Sequence, residues 1–460
     1  MRLQDLAGRR VLVLGLGLHG GGAAVARWLA RHGARVTVSD LKPKSSFAAT
    51  LLKLRGLPIR YVWGKHPASL LRQCDLIIQN PAVPKELPFL KLARQRGIPI
   101  ENEATLFLKL CPASLVIGVT GSKGKSTTST LLGAMLRRLH RRTVVAGNIR
   151  DTVMFQVLDK LTPGTPVVLE LSSWHLEGVA AHRLRLPIAL VTNVFPEHLN
   201  RYPSLAAYAK AKAGIFRAQK PQDAIVLNYD NKITQHFGSQ APGRVYWFSV
   251  SRLVPRGVYV SSQVVYWRDG SSRRRLFAVR DIKLSGEHNL QAALAAAAVA
   301  CLAGVPAADI ATAVKSFKGL HDRLEPVRTW RGLTFYNDTT ATAPAAVQAA
   351  LRAVDKGSIV LIAGGADKNL DYHELARDIR RRVQALILLP GTATVKLQSD
   401  LKDFGPVFLA ANMPAAVKLA ARLANPGGVV LLSPGAASFG LFQHEFDRGA
   451  QFVQAVCRLK

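Results

Sequence analysis

Residues 118–127 read Gly-Val-Thr-Gly-Ser-Lys-Gly-Lys-Ser-Thr, at the end of the apolar run 115–119 and before the helix-forming stretch 128–139. Glycines let backbone N–H groups converge on phosphate oxygens, the Lys125 side chain can reach β- and γ-phosphates, and the Ser126 hydroxyl can bind magnesium. The usual G-x-x-x-x-G-K-[ST] pattern has glycine where this chain has Val119, and Gly118 stands one position early. The stretch predicts a strand, a variant phosphate-binding loop and a helix, with ATP or a close relative as ligand.

A second glycine pattern lies near the N-terminus, in VLVLGLGLHGGGAAVARWLARHGARVTVSD at residues 11–40. Gly15-x-Gly17-x-x-Gly20 separates an apolar strand from an amphipathic helix, and Asp40 stands 20 residues after Gly20, where a ribose-binding carboxylate is expected. The pattern is typical of a dinucleotide-binding fold. Two interpretations stay open with about equal weight: contact with a nucleotide, or glycines that only let the helix pack on the strand.

The length and the alternation of strands with helices predict an α/β protein of three domains. The chain has 460 residues, and a domain takes roughly 150. We expect a Rossmann-like N-terminal domain over residues 1–102, a central P-loop ATPase domain over 103–318 and a Rossmann-like C-terminal α/β domain over 319–460. Short β-rich segments around Asp269 and Gly270 predict a small antiparallel β appendage on the central domain.

The composition excludes several classes of protein. Hydrophobic residues make up 48% of the chain and charged residues 20%, as in folded soluble proteins. The four cysteines are scattered without a C-x-x-C pair, which argues against a disulfide framework or a zinc site. The apolar stretch 292–305 is shorter than the roughly 20 residues of a membrane helix, and no signal-peptide cleavage site follows the N-terminal apolar run. We expect a cytoplasmic protein without membrane insertion.

The chain is strongly basic, with 62 Lys and Arg against 29 Asp and Glu and a formal charge of +33. Such an excess can mark a nucleic-acid-binding protein. The basic clusters at 137–142, 273–275 and 380–382 are dispersed, however, with no aromatic-interleaved stripe. A solvated basic surface is the favoured interpretation, so we expect no specific nucleic-acid partner. The positive field would still attract anionic substrates.

Chemically active residues follow two apolar strands of the central domain. Glu170 comes directly after the strand 167–169, where its carboxylate could meet magnesium held by Ser126. His198 lies in the loop after the strand 188–191. Ligands of open α/β sheets collect at the carboxyl ends of strands. We therefore expect both side chains beside the phosphate-binding loop.

The ordered motifs of the chain resemble the Mur ligase family of ATP-dependent amide-forming enzymes. The motifs are residues 118–126, Gly-Asn-Ile at 147–149, Leu-Glu-Leu-Ser-Ser at 169–173, Asn193 with His198, Leu-Ser-Gly-Glu-His-Asn at 284–289, Asn-Asp at 337–338, Gly-Gly at 364–365 with Lys368, and the segment 433–449. They span essentially the whole chain, which is most similar to members that add D-glutamate to UDP-N-acetylmuramoyl-L-alanine in peptidoglycan-precursor synthesis. The resemblance implies that ATP phosphorylates a substrate carboxylate and that an amine then attacks the acyl phosphate.

The resemblance also implies the roles of individual residues. Lys125 would stabilise the transferring phosphoryl group, Ser126 and Glu170 would hold one Mg²⁺, and His198 with a carbamylated Lys212 would hold a second. A lysine must lose its proton to form a carbamate, so burial or cationic neighbours must lower the pKa of Lys212. The implied ATP contacts are Gly118, Thr120, Gly121, Ser122, Lys123, Gly124, Lys125, Ser126, Thr127, Asn289, Arg323 and Asp338.

Two further ligand sites follow from the same resemblance. The implied contacts of the UDP-sugar substrate are Gly15, Leu16, Gly17, Leu18, His19, Asp40, Asn80, Pro81, Asn148 and Ser172. The implied contacts of the incoming glutamate are Thr342, Lys368, Ser438 and Phe439. ATP and Mg²⁺ are the expected cofactors, and we expect a monomer.

Several positions depart from the residues usual in the resembling family. They are Lys123 for asparagine, Arg150 for glycine, Glu197 and Asn200 for aspartates, Asp322 for histidine and Thr340 for lysine. Lineage variation is favoured over a change of substrate to another amino acid or to L-glutamate, because the key residues are all retained: Lys125, Glu170, His198 and Lys368.

Three other function classes compete with this interpretation. A sibling ligase such as a folate polyglutamate synthetase would share the ATP chemistry but fits residues before 103 and the segment 433–449 less well. An NAD-dependent dehydrogenase would explain residues 15–40 but leaves 118–126 without a role. A nucleic-acid-binding ATPase would use the positive charge but requires a contiguous basic face.

Overall fold

The computed structural model describes residues 3–17, 20–81, 83–149, 152–198, 201–284, 286–354 and 357–459. The chain divides into two compact units, one of residues 1–283 with 287–317 and one of residues 284–286 with 318–460. Short 3-10 helices lie at Leu3–Leu6, Lys44–Phe47, Ala68–Gln73, Leu158–Lys160 and Val279–Asp281.

The N-terminal part of the first unit is a five-stranded parallel sheet in the order β3-β2-β1-β4-β5. Its strands are β1 (Arg10–Leu14), β2 (Arg35–Asp40), β3 (Ile59–Trp63), β4 (Leu76–Gln79) and β5 (Ile100–Glu101), and its helices are α1 (Gly21–Arg31), α2 (Ala48–Leu54), α3 (Pro88–Gln95) and α4 (Glu103–Leu110). Strand β1 is apolar and buried after Arg10, as expected of a parallel strand covered on both faces. The strand order reverses beside β1, so the loops after β1 and β4 line one crevice. The predicted Rossmann-like character of this part is confirmed.

The rest of the first unit is built on a nine-stranded sheet in the order β14-β13-β12-β11-β10-β9-β6-β8-β7. Its strands are β6 (Val116–Thr120), β7 (Val144–Gly147), β8 (Val167–Glu170), β9 (Ile188–Val191), β10 (Ala224–Asn228), β11 (Arg244–Ser249), β12 (Gly257–Ser261), β13 (Val264–Asp269) and β14 (Ser272–Ala278). Its helices are α5 (Lys125–Leu139), α6 (Met154–Val157), α7 (Ser173–Ala181), α8 (Leu205–Ala213), α9 (Lys232–Gly238), α10 (Glu287–Leu302) and α11 (Ala307–Ser316).

The nine-stranded sheet is parallel from β7 to β12, and β13 and β14 pair antiparallel at its edge. The antiparallel segment predicted around Asp269 and Gly270 is confirmed, and it continues the central sheet. The phosphate-binding loop follows β6, which lies between β8 and β9. The segments after these three strands therefore meet at one edge of the sheet.

Helix α10 is rich in alanine and packs in the core of the first unit. Its residues 292–300 are buried, with α5 and several strands of the sheet against it. Alanine side chains are small enough for the helix backbone to approach these neighbours closely. No helix in the described ranges is both long and apolar enough to cross a membrane.

The second unit is a six-stranded sheet in the order β15-β16-β20-β17-β18-β19, parallel except for the β15–β16 pair. Its strands are β15 (Glu325–Trp330), β16 (Leu333–Asn337), β17 (Ile359–Gly364), β18 (Val383–Leu389), β19 (Val407–Leu409) and β20 (Val429–Leu432), and its helices are α12 (Pro344–Ala353), α13 (His373–Arg382), α14 (Thr392–Asp400), α15 (Met413–Leu423) and α16 (Glu445–Cys457). Separate hydrophobic clusters bury the two faces of the sheet. The predicted C-terminal α/β domain is confirmed.

Candidate active site

The phosphate-binding loop joins β6 to α5 through two glycines with positive φ. Gly121 has φ +151° and Gly124 has φ +81°, conformations that favour glycine. A Cβ on Gly121 would lie 1.9 Å from Thr192 Oγ1, so no side chain fits there. Gly118 lies inside β6, where a Cβ would meet Leu186 Cδ1 at 2.7 Å. Gly118, which stands one position early relative to the usual pattern, thus allows β6 to pack against Leu186. A contact between Gly118 and a nucleotide stays a prediction.

Two residues after β9 anchor this loop. Thr192 Oγ1 and Asn193 Nδ2 donate to the Lys123 carbonyl oxygen at 2.7 and 3.2 Å. The N–H groups of Lys123 and Ser122 donate to Asn193 Oδ1 and to its carbonyl oxygen, both at 2.9 Å. The loop backbone is therefore held in place without a ligand. The role of Thr192 in holding the loop was not predicted from the sequence, although a polar residue directly after an apolar strand could have indicated it.

Two lysines of the predicted site converge on one backbone carbonyl group. Lys125 Nζ donates to the carbonyl oxygens of Gly121 and Ser122 at 2.8 and 2.9 Å. Lys212 Nζ, which comes from α8, donates to the same Gly121 oxygen at 2.7 Å. The structure thus brings the two predicted catalytic lysines together at the loop.

Lys212 is deeply buried, with 1% of its surface exposed, and its Nζ lies 4.5 Å from the centre of the Tyr208 ring. Burial, followed by the charge of Lys125, holds the pKa of Lys212 well below its ordinary value, although Glu197 and Glu170 act in the opposite direction. A neutral amine is therefore accessible at Lys212, as carbamate formation requires.

Glu170 ends β8 beside the phosphate-binding loop and is 1% exposed. Asn148 Nδ2 donates to Glu170 Oε1 at 3.4 Å, and the Asn148 N–H donates to the Glu170 carbonyl oxygen at 2.9 Å. Ser172 follows as the N-cap of α7, where its hydroxyl accepts from the His175 N–H at 3.2 Å. Asn148 and Ser172, predicted for the sugar substrate, therefore both lie near the predicted metal ligand.

His198 has φ +56° and lies between two aromatic rings, with centroid distances of 5.6 Å to Trp174 and 5.9 Å to Tyr208. Burial is the main cause that lowers the pKa of His198; Glu197 acts in the opposite direction, and the charges of the nearby lysines add to the lowering. A neutral imidazole is the form that binds metal ions. In the described ranges, no three His, Cys, Asp or Glu side chains cluster as a possible metal site.

Glu197 precedes His198 and forms an ion pair with Lys123, with Nζ 2.7 Å from Oε1. Tyr208 Oη donates to Glu197 Oε2 at 3.4 Å, and Ser122 Oγ donates to Tyr208 Oη at 3.3 Å. Burial tends to raise the pKa of Glu197, but Lys123, Lys125 and His198 hold it below its ordinary value. Glu197 is thus an ionised carboxylate at the rim of the loop, a role the sequence did not suggest.

Arg201 links this segment to the N-terminal sheet. Its Nη1 donates to the Pro81 carbonyl oxygen at 3.1 Å, its guanidinium lies 4.9 Å from the Trp174 ring centre, and Nη2 lies 3.5 Å from Glu177 Oε2. Pro81, predicted to contact the sugar nucleotide, is therefore tied to the loop that carries His198. This bridging role was also missed.

The N-terminal glycine loop brings its predicted residues together in the crevice after β1 and β4. The Leu16 N–H donates to Asp40 Oδ2 at 2.8 Å, so this carboxylate fixes the loop. Cβ atoms on Gly15 and Gly17 would lie 2.9 and 2.7 Å from Asn80 side-chain atoms. Four residues singled out from the sequence lie outside the described residues: Leu18, His19, Arg150 and Asn200.

An unpredicted carboxylate lies at the start of α1. A Cβ on Gly21 would lie 2.6 Å from Glu103 Oε2, and Oε1 has no hydrogen-bond partner among the described residues. Burial raises the pKa of Glu103 to about 7. Its place at the start of a helix gave no signal that it is buried.

The second unit contains the residues predicted for glutamate and part of those predicted for ATP. Lys368 Nζ donates to Thr342 Oγ1 at 3.2 Å. Ser438 is buried, whereas Phe439 and Arg323 are exposed. Lys368 and Thr342 can thus act together on one anionic group.

Asp338 is buried in the second unit and accepts from Ser433 Oγ at 2.7 Å. Burial raises the pKa of Asp338 to about 7, despite the hydrogen bond from Ser433.

Arg448 is a fully buried arginine whose structural role was not predicted from the sequence. Its guanidinium donates to Thr339 Oγ1 at 3.0 Å and to the Ala436 carbonyl oxygen at 3.2 Å.

Two departures from the family pattern contact each other in the second unit. Thr340 Oγ1 donates to the Asp322 carbonyl oxygen at 2.9 Å, and Asn337 Nδ2 donates to Asp322 Oδ1 at 2.8 Å. Asp322 is 2% exposed and has φ +65°. Both residues therefore hold a local turn.

The chain matches models of known protein families over most of its length. Residues 9–102 match the Mur ligase MurD-like N-terminal domain, residues 119–300 the Mur ligase middle domain and residues 322–435 the Mur ligase glutamate ligase domain. The UDP-N-acetylmuramoylalanine--D-glutamate ligase of Roseiflexus sp. (strain RS-1) is 46% identical, with 98% of this chain and 99% of the relative covered. The enzyme of the same name from Symbiobacterium thermophilum is 40% identical, with 97% of each covered.

Solved structures share the fold at lower identity. UDP-N-acetylmuramate-alanine ligase MurC from Thermotoga maritima has a TM-score of 0.63 at 21% identity, covering 98% of this chain and 100% of that one. MurF ligase from Thermotoga maritima in complex with ADP has a TM-score of 0.58 at 16% identity, covering 99% of each. The three family matches and the full-length relatives agree with the geometry around the loop after β6, and the chain belongs to the Mur ligase family.

Proposed function

We propose that this chain joins D-glutamate to UDP-N-acetylmuramoyl-L-alanine at the expense of ATP. The observation that carries the proposal is 46% identity over 98% of the chain to a relative named for this reaction. The site supports it, because Lys125 and Lys212 meet at the carbonyl oxygen of Gly121 in the loop after β6. A cytoplasmic location and a monomeric state stay predictions from the sequence.

In the first step, a carboxylate oxygen of the UDP-sugar substrate attacks the γ-phosphorus of ATP. The bond between this phosphorus and the β,γ-bridging oxygen breaks, which releases ADP and leaves an acyl phosphate. The backbone N–H groups of the loop and the Lys125 ammonium would bind the phosphates. Lys125 now donates to two loop carbonyl oxygens, so its ammonium already lies over the loop. Preorganised positive charge of this kind stabilises the transferring phosphoryl group.

The donors at the loop fit a hard divalent cation. Ser126, at the start of α5, and Glu170, at the end of β8, would supply oxygen ligands of the kind that Mg²⁺ prefers, and Mg²⁺ commonly completes its shell with phosphate oxygens and waters. His198, with a neutral imidazole, and Lys212 as its carbamate would hold a second Mg²⁺. These ions would neutralise the phosphates and the carboxylate as they approach each other.

In the second step, the amine of glutamate attacks the acyl carbon, loses a proton and expels inorganic phosphate. The incoming amino acid is a dianion that must be held by its carboxylates. Lys368 and Thr342, in contact at 3.2 Å, would bind one of them, and the buried Ser438 would add a hydroxyl donor.

The UDP-sugar would lie in the crevice after β1 and β4. Leu16 is held by Asp40, and Gly15 and Gly17 pack against Asn80, so the backbone is shaped before the ligand arrives. Arg201 connects the Pro81 carbonyl oxygen at this crevice to the segment of His198. That connection would align the sugar-bound carboxylate with the phosphate-binding loop.

The test mixes purified protein, ATP, Mg²⁺ and UDP-N-acetylmuramoyl-L-alanine with D-glutamate, L-glutamate or other amino acids in separate reactions. Phosphate release and the mass of the product are measured. We expect an amide product with D-glutamate. A product with another amino acid only would overturn the assigned substrate, and the absence of product with every amino acid would overturn the ligase assignment.

A further inference from the structure

Lys123 and Glu197 connect the phosphate-binding loop to the segment of His198 through an ion pair of 2.7 Å. The backbone of Lys123 is fixed separately, because its N–H and carbonyl groups bond to Asn193 and Thr192. Its side chain can therefore leave Glu197 without disturbing the loop. The ion pair thus joins two side chains, while the loop backbone on which Lys123 stands is held by other hydrogen bonds.

Both side chains of the ion pair are accessible to water. The Lys123 side chain is 70% exposed and that of Glu197 is 28% exposed. An ion pair this accessible to water shifts an equilibrium by about fivefold at most. A lysine ammonium also forms a charge-assisted hydrogen bond with a phosphate. The terminal phosphate can carry more than one negative charge, whereas the Glu197 carboxylate carries one. A triphosphate bound in the loop would therefore compete successfully for the Lys123 ammonium.

Glu197 stays near the loop when Lys123 leaves. Its second carboxylate oxygen accepts from Tyr208 Oη at 3.4 Å, and that hydroxyl accepts from Ser122 Oγ in the loop at 3.3 Å. These contacts come from neutral groups, so they keep the carboxylate in place without cancelling its charge. A carboxylate at this position repels an incoming phosphate and competes with it for Lys123.

We propose that Glu197 is a counter-ion that holds Lys123 in the nucleotide-free loop, and that the γ-phosphate of ATP displaces it to take the Lys123 ammonium. Glu197 thereby lowers the affinity for ATP, and Lys123 distinguishes ATP from ADP. The Lys125 ammonium lies inside the loop, where it donates to the carbonyl oxygens of Gly121 and Ser122. The Lys123 ammonium instead pairs with Glu197 at the rim of the loop, which is where the proposal places the γ-phosphate that ADP lacks. This inference rests on the proposed use of ATP.

The two residues have opposite predicted effects on binding. Lys123→Met removes the cation from the γ-phosphate and should raise the Kd of the β,γ-imido analogue of ATP about 10-fold, a change of about 1.4 kcal/mol, with less than about a twofold change for ADP. Glu197→Gln removes the competing carboxylate and should lower the Kd of the analogue about threefold. Because the competition requires Lys123, Glu197→Gln should have a smaller effect in the Lys123→Met background.

The experiment titrates the full-length wild type and these variants with the imido analogue and with ADP, in Mg²⁺, by isothermal titration calorimetry. Circular dichroism verifies that each variant is folded. Lys315→Met is the matched control, because Lys315 is an exposed lysine paired with Asp281 in the same unit. It removes one positive charge and should leave both Kd values unchanged.

A charge-swapped variant, Lys123→Glu with Glu197→Lys, separates this role from a purely structural one. It can restore the ion pair but not the cation on the loop, so its affinity for the analogue should be at least as weak as that of Lys123→Met. Wild-type affinity in the swap, equal loss for ADP and the analogue in Lys123→Met, or unchanged or weaker binding in Glu197→Gln would each overturn the inference. Failure of the wild type to bind either nucleotide would instead overturn the proposed function.

Discussion

Lys125 and Lys212 donate to the same carbonyl oxygen, that of Gly121, at 2.8 and 2.7 Å. Two ammonium groups on one acceptor repel each other, and this repulsion disfavours the charged form of the buried one, Lys212. Burial and the charge of Lys125 lower the pKa of Lys212 well below the ordinary value of 10.5. The arrangement therefore favours a neutral Lys212 amine next to the phosphate-binding loop.

This relationship predicts that ligase activity depends on carbon dioxide. A neutral Lys212 amine can form a carbamate, whereas a protonated one cannot. Wild-type activity should fall at least about tenfold in buffer stripped of carbon dioxide and return when bicarbonate is added. Because the pKa is lowered, this recovery should already occur near neutral pH. Phosphate release in matched buffers measures both changes.

Lys212→Met provides the control for the carbon dioxide experiment. The variant keeps a side chain of similar length but has no amine, so it should be inactive with or without bicarbonate. Bicarbonate-dependent activity in Lys212→Met, or wild-type activity indifferent to carbon dioxide, would contradict a carbamate at this position.

The rigid phosphate-binding loop leads to a prediction about Gly121. A Cβ there would lie 1.9 Å from Thr192 Oγ1 and 3.2 Å from the Asn193 nitrogen, with φ at +151°. Gly121→Ala must therefore displace the contacts that anchor the loop, and we expect the Kd for ATP to rise more than about 100-fold. Gly164→Ala is the control, because nothing lies within 4 Å of its Cβ position. Equal affinity in the two variants would show that the loop adapts without cost.

The sequence predicted the sheets and loops of this chain better than the contacts between them. Apolar strands and glycine turns are local signals, so the phosphate-binding loop and the Rossmann-like crevice could be recognised from residues 11–40 and 118–127. The ligand contacts assigned by resemblance stay predictions. Gly118 illustrates the limit, because its packing against Leu186 involves a residue 68 positions away.

Contacts made across the fold could not be predicted from the pattern of any one segment. The ion pair between Lys123 and Glu197 joins residues 74 apart, and the hydrogen bond from Arg201 to Pro81 joins residues 120 apart. Thr192 follows a strand, but only the sheet order places it against Gly121. Such roles depend on which strand ends become neighbours, which the order of strands along the chain does not reveal.

Lys368 leads to a prediction about the second substrate. Its Nζ contacts Thr342 Oγ1 at 3.2 Å, and the pair is proposed to hold a glutamate carboxylate. Lys368→Met should raise KM for D-glutamate at least about 10-fold while KM for ATP changes less than about twofold, since a charge-assisted contact is lost from one substrate only. Initial rates at varied concentrations of each substrate give both constants.

Lys418→Met serves as the control for Lys368, because Lys418 is an exposed lysine of the same unit, on α15. Its KM values should match the wild type. A rise in KM for ATP equal to that for D-glutamate in Lys368→Met would indicate a general structural effect and would remove Lys368 from the glutamate site.

Glu103 predicts an unusual dependence of stability on pH. Burial raises its pKa to about 7 from 4.5. A carboxyl group with a raised folded-state pKa contributes stability that is fully present below the unfolded pKa and lost as pH rises through the folded pKa. Between pH 4.5 and about 7, the ionisation of this group should lower the free energy of unfolding of the wild type by up to about 3 kcal/mol.

Glu103→Gln tests that dependence because the amide keeps the shape of the carboxyl group without its titration. In urea unfolding, the variant should lose less stability than the wild type between pH 5 and pH 8, and at pH 8 it should be the more stable of the two. Glu374→Gln, with its exposed side chain, should follow the wild-type pH dependence. A Glu103→Gln profile parallel to the wild type would show that Glu103 titrates near its ordinary value, and burial would then not be the dominant influence on this carboxyl group.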